Sequence, residues 1–128
     1  MSGKRYFLDT NAIVQLLAGN KNLKNILNEA DYVATSVICE LEFLSLPALP
    51  NEDKELLDNL LLLIEVIDLS TDDEKLKAVI VNLRANKKLK LPDAIIAASA
   101  HIASCTLLTA DDHLLKHPDL NVQRYEIH

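Results

Sequence analysis

The sequence has few aromatic residues, glycines and cysteines, and each shortage excludes a class of site. Its 128 residues include no Trp, two Phe, three Tyr, two Gly and two Cys. With only two glycines, no glycine-rich loop is available to cradle a phosphate group. Cys39 and Cys105 lie in separate apolar segments and form no C-x-x-C pair, so neither a zinc site nor a redox motif is indicated. We expect both to be small buried side chains.

The sequence also lacks an apolar run that could span a membrane. Residues 60–64 form an uninterrupted apolar stretch, far shorter than the roughly 20 residues of a transmembrane helix. The first residues carry charge but no apolar core of the kind found in signal peptides. We therefore expect no membrane association and a cytoplasmic location. The length predicts one domain over residues 1–128, with an aliphatic core.

The charge distribution says more than the net charge of −6. That net charge argues against nucleic-acid binding over the whole surface. Residues 52–74 hold nine acids and one Lys, whereas residues 84–90 hold four bases and no acid. A solvated helix end is the default interpretation of the basic run, because cations favour a helix C-terminus. The alternative is phosphate binding by its four bases, which are Arg84, Lys87, Lys88 and Lys90.

Short apolar segments alternate with helical patterns along the whole chain. The segments predict strands at residues 6–8, 31–35, 65–69 and 106–109, with a possible edge strand at 122–127. Thr71 and Glu74 have the spacing of a capping box and predict the start of a helix. Helices between successive strands imply parallel pairing through right-handed crossovers. We therefore expect an α/β fold, a three-layer α/β/α sandwich with a mainly parallel sheet of four to five strands.

Acidic residues stand where these strands end or where the following helices begin. In a parallel sheet they would all project from one edge, and three of them, Asp9, Glu40 and Asp93, interrupt otherwise apolar runs. Taken alone, Asp9 reads as a helix N-cap. Several carboxylates brought together repel one another unless a cation lies between them, and oxygen ligands favour Mg²⁺ or Mn²⁺. The acids concerned are Asp9, Glu40, Asp93 and Asp111.

Such a site suits hydrolysis of a phosphodiester. A metal ion held by carboxylates lowers the pKa of bound water and offsets the charge that grows on a phosphate under attack. The basic run directly before Asp93 would then hold the substrate backbone without reading its bases. Nucleic-acid cleavage is thus the reaction class that the residues favour.

Four stretches of the sequence resemble the acidic motifs of PIN-domain ribonucleases, most closely the VapC toxins of bacterial VapBC toxin-antitoxin modules. They read F-L-D-T-N, S-V-I-C-E-L-E-F-L, L-K-L-P-D-A-I-I-A-A-S-A and L-L-T-A-D-D. The third is the most specific. The resemblance covers nearly the whole chain and implies a single PIN-like domain.

The resemblance also implies roles for individual residues and for partners. It assigns metal binding and catalysis to the four acids Asp9, Glu40, Asp93 and Asp111, and makes Asn11 and Thr109 their hydrogen-bond partners. It implies endonucleolytic cleavage of RNA with Mg²⁺ or Mn²⁺. It further implies a homodimer, and an antitoxin whose tail covers the acidic groove, often with an Arg.

Two assignments stay open at this level. Asp112 directly follows Asp111, and Asp111 is favoured because it comes immediately after T-A. Glu42 competes with Glu40, and the two residues face different directions on a helix. Glu40 is favoured because it precedes the L-E-F-L portion of its motif.

Two other functions compete with a nuclease. Receiver domains and haloacid-dehalogenase-type phosphatases also place acids at strand ends, but they require a second acid beside Asp9, where this chain has Thr10 and Asn11. They also require a Lys after a late strand, where this chain has Ala110 and Asp111. The other rival is a catalytically silent PIN fold that serves as an interaction module, and the presence of all four acids counts against it.

Overall fold

The computed structural model describes residues 3–127, in which five short strands form one sheet whose neighbouring strands are all parallel. The strand order is β3-β2-β1-β4-β5. This arrangement confirms the predicted α/β class and parallel sheet. The strands are β1 (Arg5–Leu8), β2 (Tyr32–Ser36), β3 (Glu65–Ile67), β4 (Thr106–Leu108) and β5 (Val122–Gln123).

Helices fill the connections between the strands. Since right-handed crossovers that run in opposite directions across a sheet put their helices on opposite faces, the strand order places α1 to α4 on one face and α5 to α7 on the other. The helices are α1 (Thr10–Leu17), α2 (Lys21–Asn28), α3 (Val37–Leu44), α4 (Asn51–Leu63), α5 (Glu74–Lys87), α6 (Leu91–Ile102) and α7 (Asp112–Leu115). Within residues 3–127, none of these helices has the length and apolar character needed to cross a membrane.

The core is aliphatic and centres on β1, β4 and α6. Phe7 and Leu8 of β1 are fully buried, as is Leu108 of β4. Helix α6 presents a series of small buried side chains, including Ala94, Ala98 and Ser99, and packs against α5, β2 and β4. Small side chains allow this close approach. Both cysteines are buried and free, as expected.

Two of the boundaries that differ from the predictions have a local reason. Strand β5 ends at Gln123 instead of running to residue 127, because the backbone beyond it bonds to side chains. The Glu126 carbonyl accepts from Asn20 Nδ2 at 2.7 Å, and the Glu126 N–H donates to Asn22 Oδ1 at 2.8 Å.

Helix α5 begins after Asp73, whose carboxylate accepts from the Leu76 N–H at 3.0 Å. The predicted capping box is therefore wrong.

The cap of α5 gives a direct test of this correction. Asp73→Ala removes the acceptor that satisfies a terminal N–H and should lower the free energy of unfolding by about 1 kcal/mol. Thr71→Ala, at the predicted cap position, should leave it nearly unchanged. Urea denaturation of both variants measures the difference. A larger loss for Thr71→Ala would contradict the observed cap.

Candidate metal centre

The candidate site lies where the strand order reverses, between β1 and β4. In open parallel sheets, ligands bind in the crevice outside the carboxyl ends of the strands at such a point. Asp9 directly follows β1 and Thr109 directly follows β4. The Asp9 N–H donates to the Leu108 carbonyl at 3.1 Å, which holds the two strand ends together. The fold therefore brings residues 100 positions apart into one site.

The Asp9 carboxylate is the buried centre of this site. The residue is only 5% exposed. Its Oδ1 accepts from the Thr10 N–H at 2.8 Å, and its Oδ2 accepts from Thr109 Oγ1 at 2.7 Å and from Asn11 Nδ2 at 3.1 Å. Burial raises the pKa of Asp9, the bonds from Thr109 and Thr10 oppose that rise, and the charges of Asp93 and Glu42 add to it. The donors keep a carboxylate in a place that otherwise disfavours its charge.

Asn11 is held in one orientation by partners on both sides. Its Oδ1 accepts from the Ala110 N–H at 2.9 Å and from the Tyr125 hydroxyl at 2.7 Å. Its Nδ2 is thereby directed at Asp9 and at Thr109 Oγ1, the latter at 3.2 Å. The structure thus puts both of the hydrogen-bonding residues implied by the resemblance in contact with Asp9.

Tyr125 is a site residue that sequence reasoning missed. It is 2% exposed. Burial and the charge of Asp9 raise the pKa of its hydroxyl to about 12, so it remains a donor. The sequence carried one usable signal, since a buried Tyr requires a hydrogen-bond partner. That signal did not identify which of the three Tyr residues is buried.

The structure places Glu42, and not Glu40, at the acidic site. Thr10 Oγ1 donates a short hydrogen bond to Glu42 Oε1. Ligand atoms of Asp9, Cys39 and Glu42 all lie within 4.8 Å of one another. Glu40 is not among the residues that line the adjoining cavity. Two positions along α3 correspond to about 200° of rotation about the helix axis, so the two side chains point to nearly opposite sides and only one can face the site. The preference for Glu40 is therefore without geometric support.

Asp93 and Asp111 complete the acidic lining of a cavity of about 750 Å³, together with Asp9 and Glu42. Asp93 is the third residue of α6. Burial raises its pKa, and the neighbouring Asp111 and Glu42 raise it further. Asp111 caps α7, with Oδ1 accepting from the His113 N–H at 2.8 Å. Asp112 instead pairs with Arg124. The geometry thus favours Asp111 over Asp112.

This donor set fits a hard divalent cation. Neighbouring carboxylates raise the pKa of Asp9 and that of Asp93, and a cation between these groups would stabilise their charged forms. Cys39 lies beside them, but burial and the charge of Asp9 raise the pKa of its thiol to about 11. A thiol that stays protonated is a poor ligand, so the usable ligands are oxygens. Oxygen ligation favours Mg²⁺ or Mn²⁺.

The structure places three of the four predicted RNA-binding bases at one cavity and the fourth elsewhere. Lys87, Lys88 and Lys90 line a second cavity that adjoins the acidic one. Lys87 is also paired with Asp119. Arg84 is exposed on α5 and lines neither cavity.

Comparison with known proteins identifies the family. The family model of the PIN domain matches residues 6–120 of the sequence. The chain belongs to the PIN domain family. This confirms the resemblance seen in the sequence. The acidic cavity therefore lies at the switch point of a PIN-domain sheet. A search of curated protein sequences gave no significant match.

Several solved structures share this PIN fold. A chain of a toxin-antitoxin complex from Klebsiella pneumoniae is 29% identical, with a TM-score of 0.78 over 95% of this chain and 99% of that one. A chain of VapBC2 from Rickettsia felis, bound to a promoter DNA fragment, is 23% identical, with a TM-score of 0.80 over 95% and 99%. A chain of VapBC-1 from nontypeable Haemophilus influenzae is 20% identical, with a TM-score of 0.74 over 94% and 97%.

Removal of the Thr109 hydroxyl should destabilise the PIN domain. Thr109→Val keeps the shape but deprives the buried Asp9 carboxylate of a donor, so the free energy of unfolding should fall by about 1 to 3 kcal/mol. Thr109→Ser keeps the hydroxyl and should lose less. Urea denaturation in EDTA measures both. Equal losses would show that the methyl group, and not the hydroxyl, matters.

Asp93→Asn should stabilise the metal-free protein at neutral pH. The pKa of Asp93 is raised in the folded state, so its contribution favours folding below the ordinary value of 3.8 and is lost as pH rises through the folded pKa. At pH 7 the ionised carboxylate therefore opposes folding, and Asn removes that charge. The Tm advantage of Asp93→Asn in EDTA should shrink as the pH falls toward 4.

Asp58→Asn is the matched control, because Asp58 is exposed on α4 away from the acidic cavity. It should show no comparable gain at pH 7. A gain of the same size in both variants would reflect net charge alone and would contradict local repulsion at Asp93.

Proposed function

We propose that this PIN domain is a metal-dependent endoribonuclease and the toxin of a type II toxin-antitoxin module of the VapBC kind. The observation that carries the proposal is the set of four carboxylates, including a nearly fully buried Asp9, that line one cavity at the switch point of the sheet. The likeness to a chain of a toxin-antitoxin complex from Klebsiella pneumoniae supports the biological role.

The proposed metal ligands are Asp9, Glu42, Asp93 and Asp111, with Glu42 in the position first given to Glu40. When bound there, Mg²⁺ or Mn²⁺ would lower the pKa of a bound water and offset charge on the phosphodiester. Thr109 and Asn11 fix the Asp9 carboxylate, and Thr10 fixes that of Glu42. These bonds hold the ligands in place before substrate arrives, so little reorganisation is needed during the reaction.

The walls of the acidic cavity also suit an antitoxin. Apolar side chains line it beside the carboxylates, and Leu41 is 54% exposed there. An apolar segment that carries a cationic side chain would cover those apolar groups and neutralise the acids at once. This is the kind of tail that the resemblance implies for a VapB-like antitoxin. We include it, and a homodimer, in the proposal.

The first experiment is cleavage of total RNA by purified, antitoxin-free protein, with the 5′ ends of the products mapped. Discrete cuts are expected with Mn²⁺ and should disappear with EDTA and in Asp93→Asn. An absence of cuts, from protein shown to bind Mn²⁺, would contradict the nuclease and favour a silent interaction module.

Glu42→Gln and Glu40→Gln form a matched pair for the ligand assignment. Glu42→Gln should lower cleavage by about a hundredfold or more, since residues that merely orient metal ligands already account for about 10- to 100-fold. Glu40→Gln should retain activity. Mn²⁺ should raise the Tm of Glu40→Gln as much as that of the wild type, and that of Glu42→Gln less. The reverse pattern would restore Glu40.

A further inference from the structure

A second cavity, of about 410 Å³, adjoins the acidic one and has a different chemical character. The two share Glu42, Pro92, Asp93 and Asp111 as a common wall. The far side of the second cavity is basic and is built from two segments distant in sequence. One is the end of α5 with the loop that follows, and the other is α7 with the residues after it. Their basic residues at the cavity are Lys87, Lys88, Lys90, His113, Lys116 and His117.

These basic residues are not equally available to a ligand. The charge of Lys87 is paired with Asp119. The Nε2 atom of His117 is buried without a hydrogen-bond partner in the described part of the chain, so it cannot reach a ligand unless the ring turns. Lys88, Lys90, Lys116 and His113 are exposed and have no partner among the ion pairs of residues 3–127. The three lysines supply the free positive charge of the cavity, and the His113 ring adds a hydrogen-bond donor.

The same short elements carry the acids and the bases, which fixes the two cavities relative to each other. Lys90 immediately precedes α6, and Asp93 lies in its first turn. Asp111 caps the start of α7, and Lys116 caps its end. An anion bound in the second cavity would therefore lie beside the acids of the common wall.

We propose that this second cavity is a phosphate subsite, which binds the phosphate of a nucleotide next to the scissile bond through Lys88, Lys90, Lys116 and His113. The inference rests on the proposed function and extends it. Ligand sites have volumes of about 300 to 1,000 Å³, so this cavity can hold one nucleotide. A polynucleotide crossing the common wall would place one phosphate at the acids and a neighbouring phosphate among the bases. Such contacts position the strand and carry no sequence information.

The binding of adenosine 5′-monophosphate, with Mg²⁺ present, tests this subsite without requiring cleavage. Backbone amide NMR shifts should move at residues 87–90 and 113–117, and adenosine without a phosphate should not move them. In Lys116→Ala the Kd should rise about fivefold, as expected for the loss of one exposed charged contact.

Lys75→Ala is the matched control, because Lys75 is also exposed but lies at the start of α5, far from both cavities. It should bind the nucleotide as the wild type does. Equal weakening in both variants, equal shifts with adenosine, or shifts confined to the acidic cavity would overturn the subsite.

The two proposals fail in distinguishable ways. A protein that binds adenosine 5′-monophosphate as described but cleaves no RNA refutes the nuclease and keeps the phosphate subsite. A protein that cleaves RNA but shows no phosphate-dependent shifts at these residues refutes the subsite alone.

Discussion

The burial of the Asp9 carboxylate is the constraint on which the rest of the site depends. A buried charge is costly unless hydrogen bonds and counter-charge compensate it. Its donors come from Thr10, Asn11 and Thr109, and Asn11 is in turn oriented by Ala110 and Tyr125. These residues belong to the ends of two strands, the start of α1 and the C-terminal segment. One carboxylate thus ties together parts of the chain that no local interaction would join, and it does so only if β1 and β4 are neighbours.

Much of this arrangement could be predicted because it follows from topology. Apolar segments alternating with helical patterns imply a parallel sheet, and the carboxyl ends of parallel strands meet at one edge. Acids that directly follow strands, such as Asp9, or that begin an adjoining helix, such as Asp93, therefore converge there whatever the details of packing. The end of β5 and the start of α5 were predicted less well, because side chains there form hydrogen bonds with the backbone N–H and carbonyl groups. Asp73 displaces Thr71 as the cap of α5, and Asn20 and Asn22 take the backbone groups that a longer β5 would have used.

The remaining parts of the site depend on how a helix is rotated about its axis and on contacts between residues distant in sequence. Neither can be inferred from a single sequence. Whether Glu40 or Glu42 faces the cavity is decided by how α3 is turned about its axis. The motif spacing allowed either residue, and Thr10 shows which one the packing selects. Arg124, which lies further along the chain, pairs with Asp112, and this contact distinguishes Asp112 from Asp111. The basic cavity joins residues around Lys88 to residues around Lys116. Only the first group formed a visible run in the sequence.

The energetics of the site bear on the choice between an enzyme and a silent interaction module. Buried or crowded carboxylates oppose folding, and apolar residues of similar volume would often be at least as stable. Residues that lower the stability of the fold are expected at functional sites, and other parts of the structure compensate for the lost stability. Here Asp9 and Asp93 both have raised pKa values, and repulsion from neighbouring carboxylates contributes to each. A module that only docked a partner through its surface would need neither the burial of Asp9 nor the donors that hold it. A cation-binding centre needs both, because its ligands must be charged, fixed and shielded before the ion and the substrate phosphate arrive.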